Sequence, residues 1–307
     1  MKKSDKIYIA GHKGLLGSAI VRKLISKGYK NILIIDKKSL DLKDQKKVFN
    51  FLKKNKPDIV IIAAAKVGGI TANNTYRANF IYDNLAIQNN LIHGSFLNKI
   101  NDLLFIGSNC VYPKNCKQPI KENYLLQGPL EFTNEPYAIA KIAGIKLCEN
   151  YNAQYHTNYK CLMPASIYGP GDNYDSDNSH FFANLINKLH YAKINNKNEI
   201  NLWGYGKSKR ELIYVDDVAD ACLFFMKKKT KESLINIGTG KEFSIKQYAL
   251  LLMKYTRFKF TIKFDLTKPN GIRRKILDIS IANKHGWYPK TDLKSGFLKT
   301  YEKYLLR

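Results

Sequence analysis

The 307-residue sequence contains no apolar run that approaches the roughly 20 residues a membrane-spanning helix needs. Its first apolar stretch stops at Ala10, where glycine and histidine follow, so the start does not fit a secretory signal peptide. Its five cysteines form no CxxC pair and, being odd in number, do not make a complete disulfide framework. We therefore expect free thiols and a cytoplasmic location.

Acidic side chains are also scarce, since 25 of them face 51 basic ones and leave a formal net charge of +26. Such an excess suggests attraction to nucleic acid, membrane surfaces or phosphorylated small molecules. The lysines are scattered, however, and no segment interleaves arginines with aromatic residues as a nucleic-acid-binding surface would. We therefore expect neither a nucleic-acid nor a membrane partner.

Short apolar strands alternate with helical segments through the first half of the chain. The strands are predicted at KIYIA, NILIID, DIVIIAAA, NDLLFIGS and YKCLMPAS. This order predicts right-handed crossovers and a parallel sheet covered by helices on both faces. We predict an α/β protein with a Rossmann-type doubly wound sheet in residues 1–167, to which residues 210–237 return, and a smaller mixed α/β substrate-binding lobe in residues 168–307.

A glycine turn, GHKGLLG, stands between the first strand and the first helix, with Gly11, Gly14 and Gly17 at a GxxGxxG spacing. A dinucleotide pyrophosphate binds at such a turn because backbone N–H groups and the positive helix end point at it. The spacing is typical of short-chain dehydrogenases. The alternative is a tight strand-to-helix turn without a ligand.

The cofactor's ribose is expected at the end of the second strand. Asp36 there could bind the ribose hydroxyls of NAD and would repel the extra phosphate of NADP. Lys37 and Lys38 argue the other way, since a cation would accept that phosphate. Asp41 and Leu42 are expected to frame the adenine. These residues leave NAD against NADP open.

A tyrosine and a lysine follow Pro136 at a helical spacing. Pro136, with Thr133 or Asn134 as the cap, predicts a helix that carries Tyr137 and Lys141 on one face. A lysine ammonium in that position would lower the phenol's pKa and make Tyr137 a usable proton donor. Ser108, at the carboxyl end of a strand, could hold a substrate carbonyl oxygen beside it.

The sequence resembles the GDP-L-fucose synthases of the extended short-chain dehydrogenase/reductase family over nearly its full length. The matching segments are IAGHKGLLGSAI, AAAKVGGITANNTY, GSNCVYPK, QPIKENYLLQGPLEFTNEPYAIAKIAGIKLCE, DNSHFF and KPNGIRRK. The resemblance implies NADPH-dependent reduction of a GDP-4-keto sugar by Ser108, Tyr137 and Lys141. It further implies 3,5-epimerisation by Cys110 and His180, and a homodimer through a four-helix bundle of residues 76–98 and 136–152.

The resemblance also assigns the remaining site positions. For the nucleotide sugar it points to Trp203, Arg210 and Asp265, with Lys188 where arginine is common and Asn109 where a second serine is usual. Ala165 and Ser166 replace more polar residues near the nicotinamide. Further residues expected at the cofactor are Leu15, Leu16, Ala64, Ala65, Pro164 and Ile167.

Several alternatives stay open at this point. The departures from the family pattern would suit a reductase that acts on an already epimerised sugar such as a GDP-4-keto-heptose. NADH is an alternative cofactor. A redox-neutral epimerase is a lesser alternative, and a dehydratase is disfavoured because Asn109 and Cys110 stand where an acidic pair is usual. A basic binding module without catalysis would be expected to lack the Ser-Tyr-Lys set.

Overall fold

The structure is a computed structural model that describes residues 1–175, 179–267 and 272–307. Residues 176–178, in the polar loop and segment DNSHFF, and 268–271, in KPNGIRRK, lie outside the described residues. The strands are β1 (Ile7–Ala10), β2 (Ile32–Leu33), β3 (Ile59–Ile62), β4 (Asp102–Ile106), β5 (Asn158–Pro164), β6 (Ser166–Tyr168), β7 (Glu199–Trp203), β8 (Lys209–Tyr214), β9 (Leu234–Ile237), β10 (Glu242–Ser244), β11 (Thr261–Asp265) and β12 (Arg274–Lys275). The α-helices are α1 (Leu15–Ser26), α2 (Gln45–Asn55), α3 (Ile70–Thr75), α4 (Arg77–Leu97), α5 (Glu135–Tyr155), α6 (Phe181–Ile194), α7 (Val215–Lys227), α8 (Ile245–Thr256), α9 (Ser280–Lys284) and α10 (Leu293–Leu305).

The larger sheet is parallel, with strand order β2-β1-β3-β4-β5-β9 in the described part of the chain. Its central strands are apolar and fully buried because helices cover both faces, with α4 packed on α5 and α1 on α7. From β1, strand β2 is added on one side of the sheet and β3 on the other, so the order of strands changes direction between β1 and β3. Ligands of open parallel sheets bind at such a point, outside the carboxyl ends of the strands. The predicted α/β doubly wound fold is confirmed.

A second sheet forms from β10, β8 and β12, and β6 also pairs with β8. Strands β7 and β11 make a separate parallel pair. Aromatic residues of α6, α8 and α10 fill the core beneath them, including Phe182, Tyr248 and Phe297. This core is distinct from the larger apolar core around the six-stranded sheet.

The chain crosses between the two sheets more often than expected. Strand β9 joins the larger sheet and helix α7 packs on it, but β8 belongs to the second sheet. The segment that returns to the larger sheet is therefore shorter than residues 210–237. Leu277, Ala282 and Trp287 pack into the larger core although residues 168–307 were predicted to form the smaller lobe. The domain boundaries stay a prediction.

Two local features also differ from expectation. Strand β2 covers only two of the six residues in NILIID, because it is an edge strand that pairs on one side and Ile34 is already exposed. Helix α5 begins at Glu135, one residue before Pro136, and the Asn134 side chain makes no capping hydrogen bond in the described chain. No helix among the described residues is long and apolar enough to cross a membrane.

Candidate active site

The glycine turn connects β1 to α1 at the point where the sheet reverses direction. Gly11 has φ +88°, and a Cβ there would lie 2.6 Å from the Ala64 backbone nitrogen. A Cβ on Gly17 would collide with the Gly11 carbonyl oxygen. Gly14 precedes α1, and no side chain in the described residues caps this helix start. The free N–H groups of the first turn therefore face a cradle that fits a dinucleotide pyrophosphate.

The remaining positions expected around the cofactor lie at the carboxyl ends of the sheet strands. Ala64 and Ala65 follow β3, Pro164 ends β5, and Ile167 lies in β6 opposite Ile213. Leu15 and Leu16 open α1. Asn90 on α4 donates to the carbonyl oxygens of Leu42 and Lys43 and holds the segment that includes Asp41. Contact of these residues with a cofactor stays a prediction.

At the expected ribose position, Asp36 contacts two side chains of the glycine turn. Its carboxylate lies 2.8 Å from Lys13 Nζ and 3.3 Å from His12 Nε2. The hydrogen bond from Lys13 holds the pKa of Asp36 below its usual value. Lys37 and Lys38 are exposed beside it. The sequence identified Asp36 but gave no sign that Lys13 and His12 would reach it.

The residues predicted to carry out the reduction lie near the end of β4. Ser108 follows this strand and caps a short 3-10 helix, Asn109–Val111, where its Oγ accepts from the Cys110 N–H at 3.4 Å. Lys141 on α5 donates to the Ile106 carbonyl oxygen at 2.8 Å, and its Nζ lies 5.7 Å from the Tyr137 ring centroid. Burial lowers the pKa of Lys141 to about 8. Lys141 therefore lies at the strand end with the Tyr137 ring near it, and the shared role of the two side chains stays a prediction.

One expectation about this pair is wrong. Lys141 was expected to lower the pKa of Tyr137, but burial raises that pKa well above its usual value, and the neighbouring Cys110 adds to the rise. The physical reason is that desolvation by burial disfavours the charged tyrosinate, while the Lys141 ammonium is bonded to the Ile106 carbonyl oxygen. Tyr137 is therefore a protonated phenol at neutral pH.

Cys110 is buried and connects the tyrosine to a lysine that sequence reasoning missed. Burial raises the pKa of the Cys110 thiol, while the charge of Lys275, a hydrogen bond from Ser108 and the charge of Lys141 oppose the rise. Lys275 on β12 is only 8% exposed, and burial lowers its pKa. Lys275 ends the segment KPNGIRRK, which was a signal that could have identified it. We call Ser108, Cys110, Tyr137, Lys141 and Lys275 the catalytic cluster.

His180 lies immediately before α6, on a different element from the residues of this cluster. Its side chain is exposed, and desolvation by the surrounding protein lowers its pKa. The imidazole is therefore neutral near pH 7 and able to accept a proton. A shared role of His180 and the catalytic cluster stays a prediction.

Arg210 belongs to β8 and lies close enough to Lys275 for their charges to interact. One guanidinium nitrogen donates to the Ile272 and Lys209 carbonyl oxygens, at 2.6 and 2.8 Å. The adjacent Glu211 is buried, and its carboxylate accepts from the backbone N–H groups of Thr239, Gly240 and Leu277. Glu211 thereby ties β8 to the chain just beyond Lys275 and fixes both cations.

Three other residues expected at the nucleotide sugar gather away from the cluster, where β7 and β11 end. Trp203 and Asp265 are opposite each other across these strands, and Lys188 Nζ lies 5.8 Å from the Trp203 ring centroid. Lys188 donates to the Asn201 carbonyl oxygen at 2.8 Å, and the charge of Asp265 acts on it. The Trp203 side chain is 43% exposed. We call Lys188, Trp203 and Asp265 the nucleotide rim.

Comparison with known proteins gives consistent matches over the whole chain. The sequence model of the NAD dependent epimerase/dehydratase family matches residues 7–238. The chain is 48% identical to putative GDP-L-fucose synthase 2 of Arabidopsis thaliana, with 99% of this chain and 93% of the relative covered. Among solved structures it is similar to a GDP-6-OMe-4-keto-L-xylo-heptose reductase from C. jejuni, with 36% identity, a TM-score of 0.92 and coverage of 100% and 99%. It is also similar to MlghC, a GDP-mannoheptose C4 reductase from Campylobacter jejuni with NADP bound, with 38% identity, a TM-score of 0.90 and 99% of both chains covered.

Proposed function

The chain belongs to the NAD dependent epimerase/dehydratase family, and we propose that it reduces the C4 ketone of a GDP-4-keto sugar with NADPH, after proton exchange at carbons 3 and 5. The observation that carries this proposal is the catalytic cluster at the carboxyl end of β4, in which Lys141 Nζ is bonded to the strand end and lies against Tyr137. The similarity to GDP-L-fucose synthases supports the substrate class.

The residues present fit the cofactor. The glycines let β1, the turn and α1 pack closely, because a Cβ on Gly11 or Gly17 would collide with backbone atoms, and the first turn of α1 offers its backbone N–H groups to a pyrophosphate. The similar MlghC structure holds NADP, which supports NADPH over NADH. When bound, the nicotinamide supplies the hydride that C4 receives.

Tyr137 supplies the proton that completes the reduction, and Lys141 stabilises the anion that Tyr137 becomes. Burial keeps the Tyr137 phenol protonated, so its hydroxyl can deliver a proton to the ketone oxygen while C4 gains the hydride. The Lys141 ammonium stabilises the tyrosinate that forms, an interaction stronger in the transition state than before it. The Ser108 hydroxyl, at the end of the same strand, donates a hydrogen bond to the same ketone oxygen in this proposal.

Epimerisation needs one group that removes a proton beside the ketone and one that returns a proton from the opposite face. Cys110 rests as a thiol because burial raises its pKa, and Lys275 and Ser108 stabilise its thiolate. His180 rests as a neutral imidazole. The pair therefore contains one proton donor and one proton acceptor near neutral pH.

The nucleotide is held by groups outside the cluster. The exposed Trp203 offers a stacking face to guanine, and Lys188 beside it offers a positive charge. Arg210, whose charge interacts with that of Lys275, suits the pyrophosphate because a guanidinium has five N–H donors and its two bonds to backbone carbonyls use only one of its nitrogens. Asp265 fixes the end of β11 by accepting from Thr267.

A second function is a reductase that acts only on an already epimerised sugar. Two similar structures are C4 or 4-keto heptose reductases, and this observation favours it. Asn109 also replaces a usual serine next to Ser108. Both functions use the same cluster for reduction and differ in whether Cys110 and His180 exchange protons.

Incubation with GDP-4-keto-6-deoxy-mannose in deuterium oxide separates the two functions. Mass spectrometry and NMR should find deuterium at carbons 3 and 5, and Cys110→Ser should lose it while reduction of a pre-epimerised sugar continues. An absence of exchange in the parent protein leaves the reductase alone. Product formation without oxidation of one NADPH per sugar would exclude both and favour a redox-neutral epimerase.

We also propose a homodimer through α4 and α5. These two 21-residue helices pack on each other and still expose Tyr82, Leu97, Ile139 and Tyr155. Two such pairs would form a four-helix bundle. Light scattering should give twice the chain mass, and Ile139→Glu should reduce it, whereas Ile25→Glu on α1 should not. A monomeric parent protein contradicts the proposal.

The proposed substrates also bear on location. NADPH and a nucleotide sugar are both phosphorylated, which accords with the excess of basic side chains. They support a cytoplasmic enzyme, and fractionation of the source cell tests it. Recovery of the chain outside the cytoplasm would contradict this inference.

A further inference from the structure

Asn236 lies on β9, outside the catalytic cluster, and is fully buried. Its side-chain amide donates to the carbonyl oxygens of Ile120 and Asp278, at 2.9 and 3.1 Å, and its Oδ1 accepts from the Tyr112 hydroxyl at 2.6 Å. The two carbonyl oxygens fix the orientation of the amide, because only its nitrogen can donate to them. A buried amide is costly unless it is bonded, and here its bonds join three separate segments of the chain.

Two of these segments lead directly to residues of the catalytic cluster. Tyr112 is buried and stands two residues after Cys110, at the end of the short 3-10 helix. Asp278 stands three residues after Lys275, on the chain that leaves β12. Asn236 therefore bonds the Cys110 segment and the Lys275 segment to one side chain.

The third segment, residues 118–120, extends this connection toward Lys275. The Ile120 carbonyl oxygen accepts from the Asp278 N–H at 2.8 Å, and the Ile120 N–H donates to the Ile276 carbonyl oxygen at 2.8 Å. The Ile276 N–H in turn donates to Gln118 Oε1 at 2.9 Å. Residues 276–278 are thus bonded along residues 118–120, and Lys275 stands immediately before them. These bonds limit how far the Lys275 backbone can move away from Cys110.

The position of Lys275 matters because a buried thiolate depends on a nearby cation. Among the charged groups that act on Cys110, Lys275 has a larger effect than Lys141, and Ser108 adds a hydrogen bond. Tyr137 on α5 also faces Cys110 but is uncharged at neutral pH. A displaced Lys275 would therefore leave the desolvation of the thiolate largely uncompensated.

Other charges also act on Lys275. Arg210 on β8 repels it, whereas Glu131 attracts it, as would a thiolate at Cys116. Both the repulsion and the attraction favour positions of the ammonium other than the one beside Cys110. Electrostatics alone therefore does not fix this ammonium, and its place depends on the backbone that carries it.

We propose that Asn236 is a positioning residue for epimerisation, because it bonds the segments of Cys110 and Lys275 together and so keeps the Lys275 ammonium where it stabilises the Cys110 thiolate. This inference rests on the proposed function only in taking Cys110 as a group that exchanges a proton with the sugar. The consequence belongs to epimerisation, since reduction uses the Tyr137 phenol and not the thiol.

Alkylation by iodoacetamide tests this without any sugar substrate, because the reagent reacts with the thiolate and not with the thiol. Mass spectrometry of the peptide that contains Cys110 measures the labelling rate at several pH values. Below the pKa of the thiol this rate is proportional to the fraction of thiolate. Cys148, Cys161 and Cys222 are fully buried, and Cys116→Ser in the reference protein and in every variant removes the remaining competing thiol.

Lys275→Gln should slow the labelling about tenfold, because it removes the charge that stabilises the thiolate. Tyr112→Phe and Asn236→Ala should each slow it about threefold, because each breaks the link between the two segments while Lys275 keeps its charge. In a protein that already carries Lys275→Gln, neither change should slow the labelling further by more than about 1.5-fold. If Asn236→Ala does not fold, as circular dichroism would show, Tyr112→Phe decides the test.

Tyr159→Phe is the matched control. Its hydroxyl is also buried and donates to a carbonyl oxygen, that of Ile100 at 3.0 Å, but it lies near the start of β5, at the opposite end of the sheet. It should leave the labelling rate unchanged.

A purely structural role of Asn236 predicts a different result. Loosened packing would expose Cys110 and speed its labelling, with or without Lys275. An unchanged or faster rate in Tyr112→Phe, or an equal slowing in the presence and absence of Lys275, overturns the proposal. Failure of this test leaves the proposed function intact, and an absence of deuterium exchange in the parent protein leaves the labelling result intact.

Discussion

The catalytic cluster and the nucleotide rim each place a lysine beside an aromatic ring, and they differ in how far that ring is exposed. In the cluster, burial moves the pKa values of Tyr137, Lys141 and Cys110, and the Ile106 carbonyl oxygen holds the lysine. In the rim, burial lowers the pKa of Lys188 and the Asn201 carbonyl oxygen holds it, but Trp203 is 43% exposed. The difference teaches that rate and affinity are separable here. Changes in the cluster should alter kcat, and changes in the rim should alter binding.

The strongest test of this difference between cluster and rim is Tyr137→Phe, which removes one oxygen from the cluster. Loss of a positioned proton donor should lower kcat by about 10³-fold. The ring that lies against Lys141 remains, so the dissociation constants of NADPH and GDP should stay within about twofold of the parent values. Stopped-flow oxidation of NADPH measures the first quantity and calorimetry the second.

Ile139→Ala, two residues away on α5 with its side chain 41% exposed, controls for disturbance of the helix. It should keep the parent kcat. If Tyr137→Phe retained turnover, or if it lost cofactor binding together with turnover, Tyr137 would be a structural residue and the cluster would carry no chemistry.

The rim counterpart is Trp203→Ala. Loss of an aromatic face on which a base stacks should weaken GDP binding by about tenfold or more, with kcat within about twofold. Calorimetry with GDP and steady-state kinetics measure the two effects. Tyr205→Ala is the matched control, since Tyr205 is an exposed aromatic two residues along the chain, and it should change neither. A fall in kcat as large as the fall in affinity would show that the rim and the cluster do not have separate roles.

The same contrast explains what the sequence could predict. Tyr137, Lys141 and Gly11 to Gly17 are related by short spacings on one helix or one turn, so their shared face follows from the helical period and from backbone geometry. The parallel sheet in the first half of the chain was predictable because short apolar strands alternate there with helices. Local pattern therefore sufficed for these parts.

The parts that could not be predicted depend on long-range contact. Lys275 comes near Cys110 only because β12 pairs with β8, next to the bond between Glu211 and the Leu277 N–H. The pairing of two such short strands produces no periodic pattern in the sequence that could have predicted it. The rise in the pKa of Tyr137 depends on burial by the folded chain. The Asp36–Lys13 pair likewise joins two segments that meet only when β1 and β2 align.

A smaller expected effect in the catalytic cluster is a dependence of kcat on pH. Burial lowers the pKa of Lys141 to about 8, so its ammonium loses its proton as the pH rises through 8 rather than above 10. The tyrosinate that forms during reduction then loses its stabilising charge. The kcat should fall about fourfold between pH 7 and 8.5, with the protonated form active on the acidic side.

Single-turnover rates at saturating NADPH and sugar measure this limb free of binding effects. Lys141→Arg, whose guanidinium stays charged, should be slower at pH 7 yet show no decline up to pH 8.5. A parent rate that is flat across this range would mean that the Lys141 charge has no part in the rate, and the cluster would then depend on Tyr137 and Ser108.

The smallest expected effect returns to the rim. Lys188 is a point charge bonded to the Asn201 carbonyl oxygen, and an arginine in its place could keep that bond and add a second N–H toward a phosphate. Lys188→Arg should therefore tighten GDP binding by about threefold and leave kcat unchanged. Lys193→Arg, on the same helix α6 but beside Phe258, should do neither. A tighter GDP complex with a slower kcat would show that ground-state binding at the rim opposes the chemistry of the cluster, because binding energy realised before the transition state raises the barrier that the cluster has to lower.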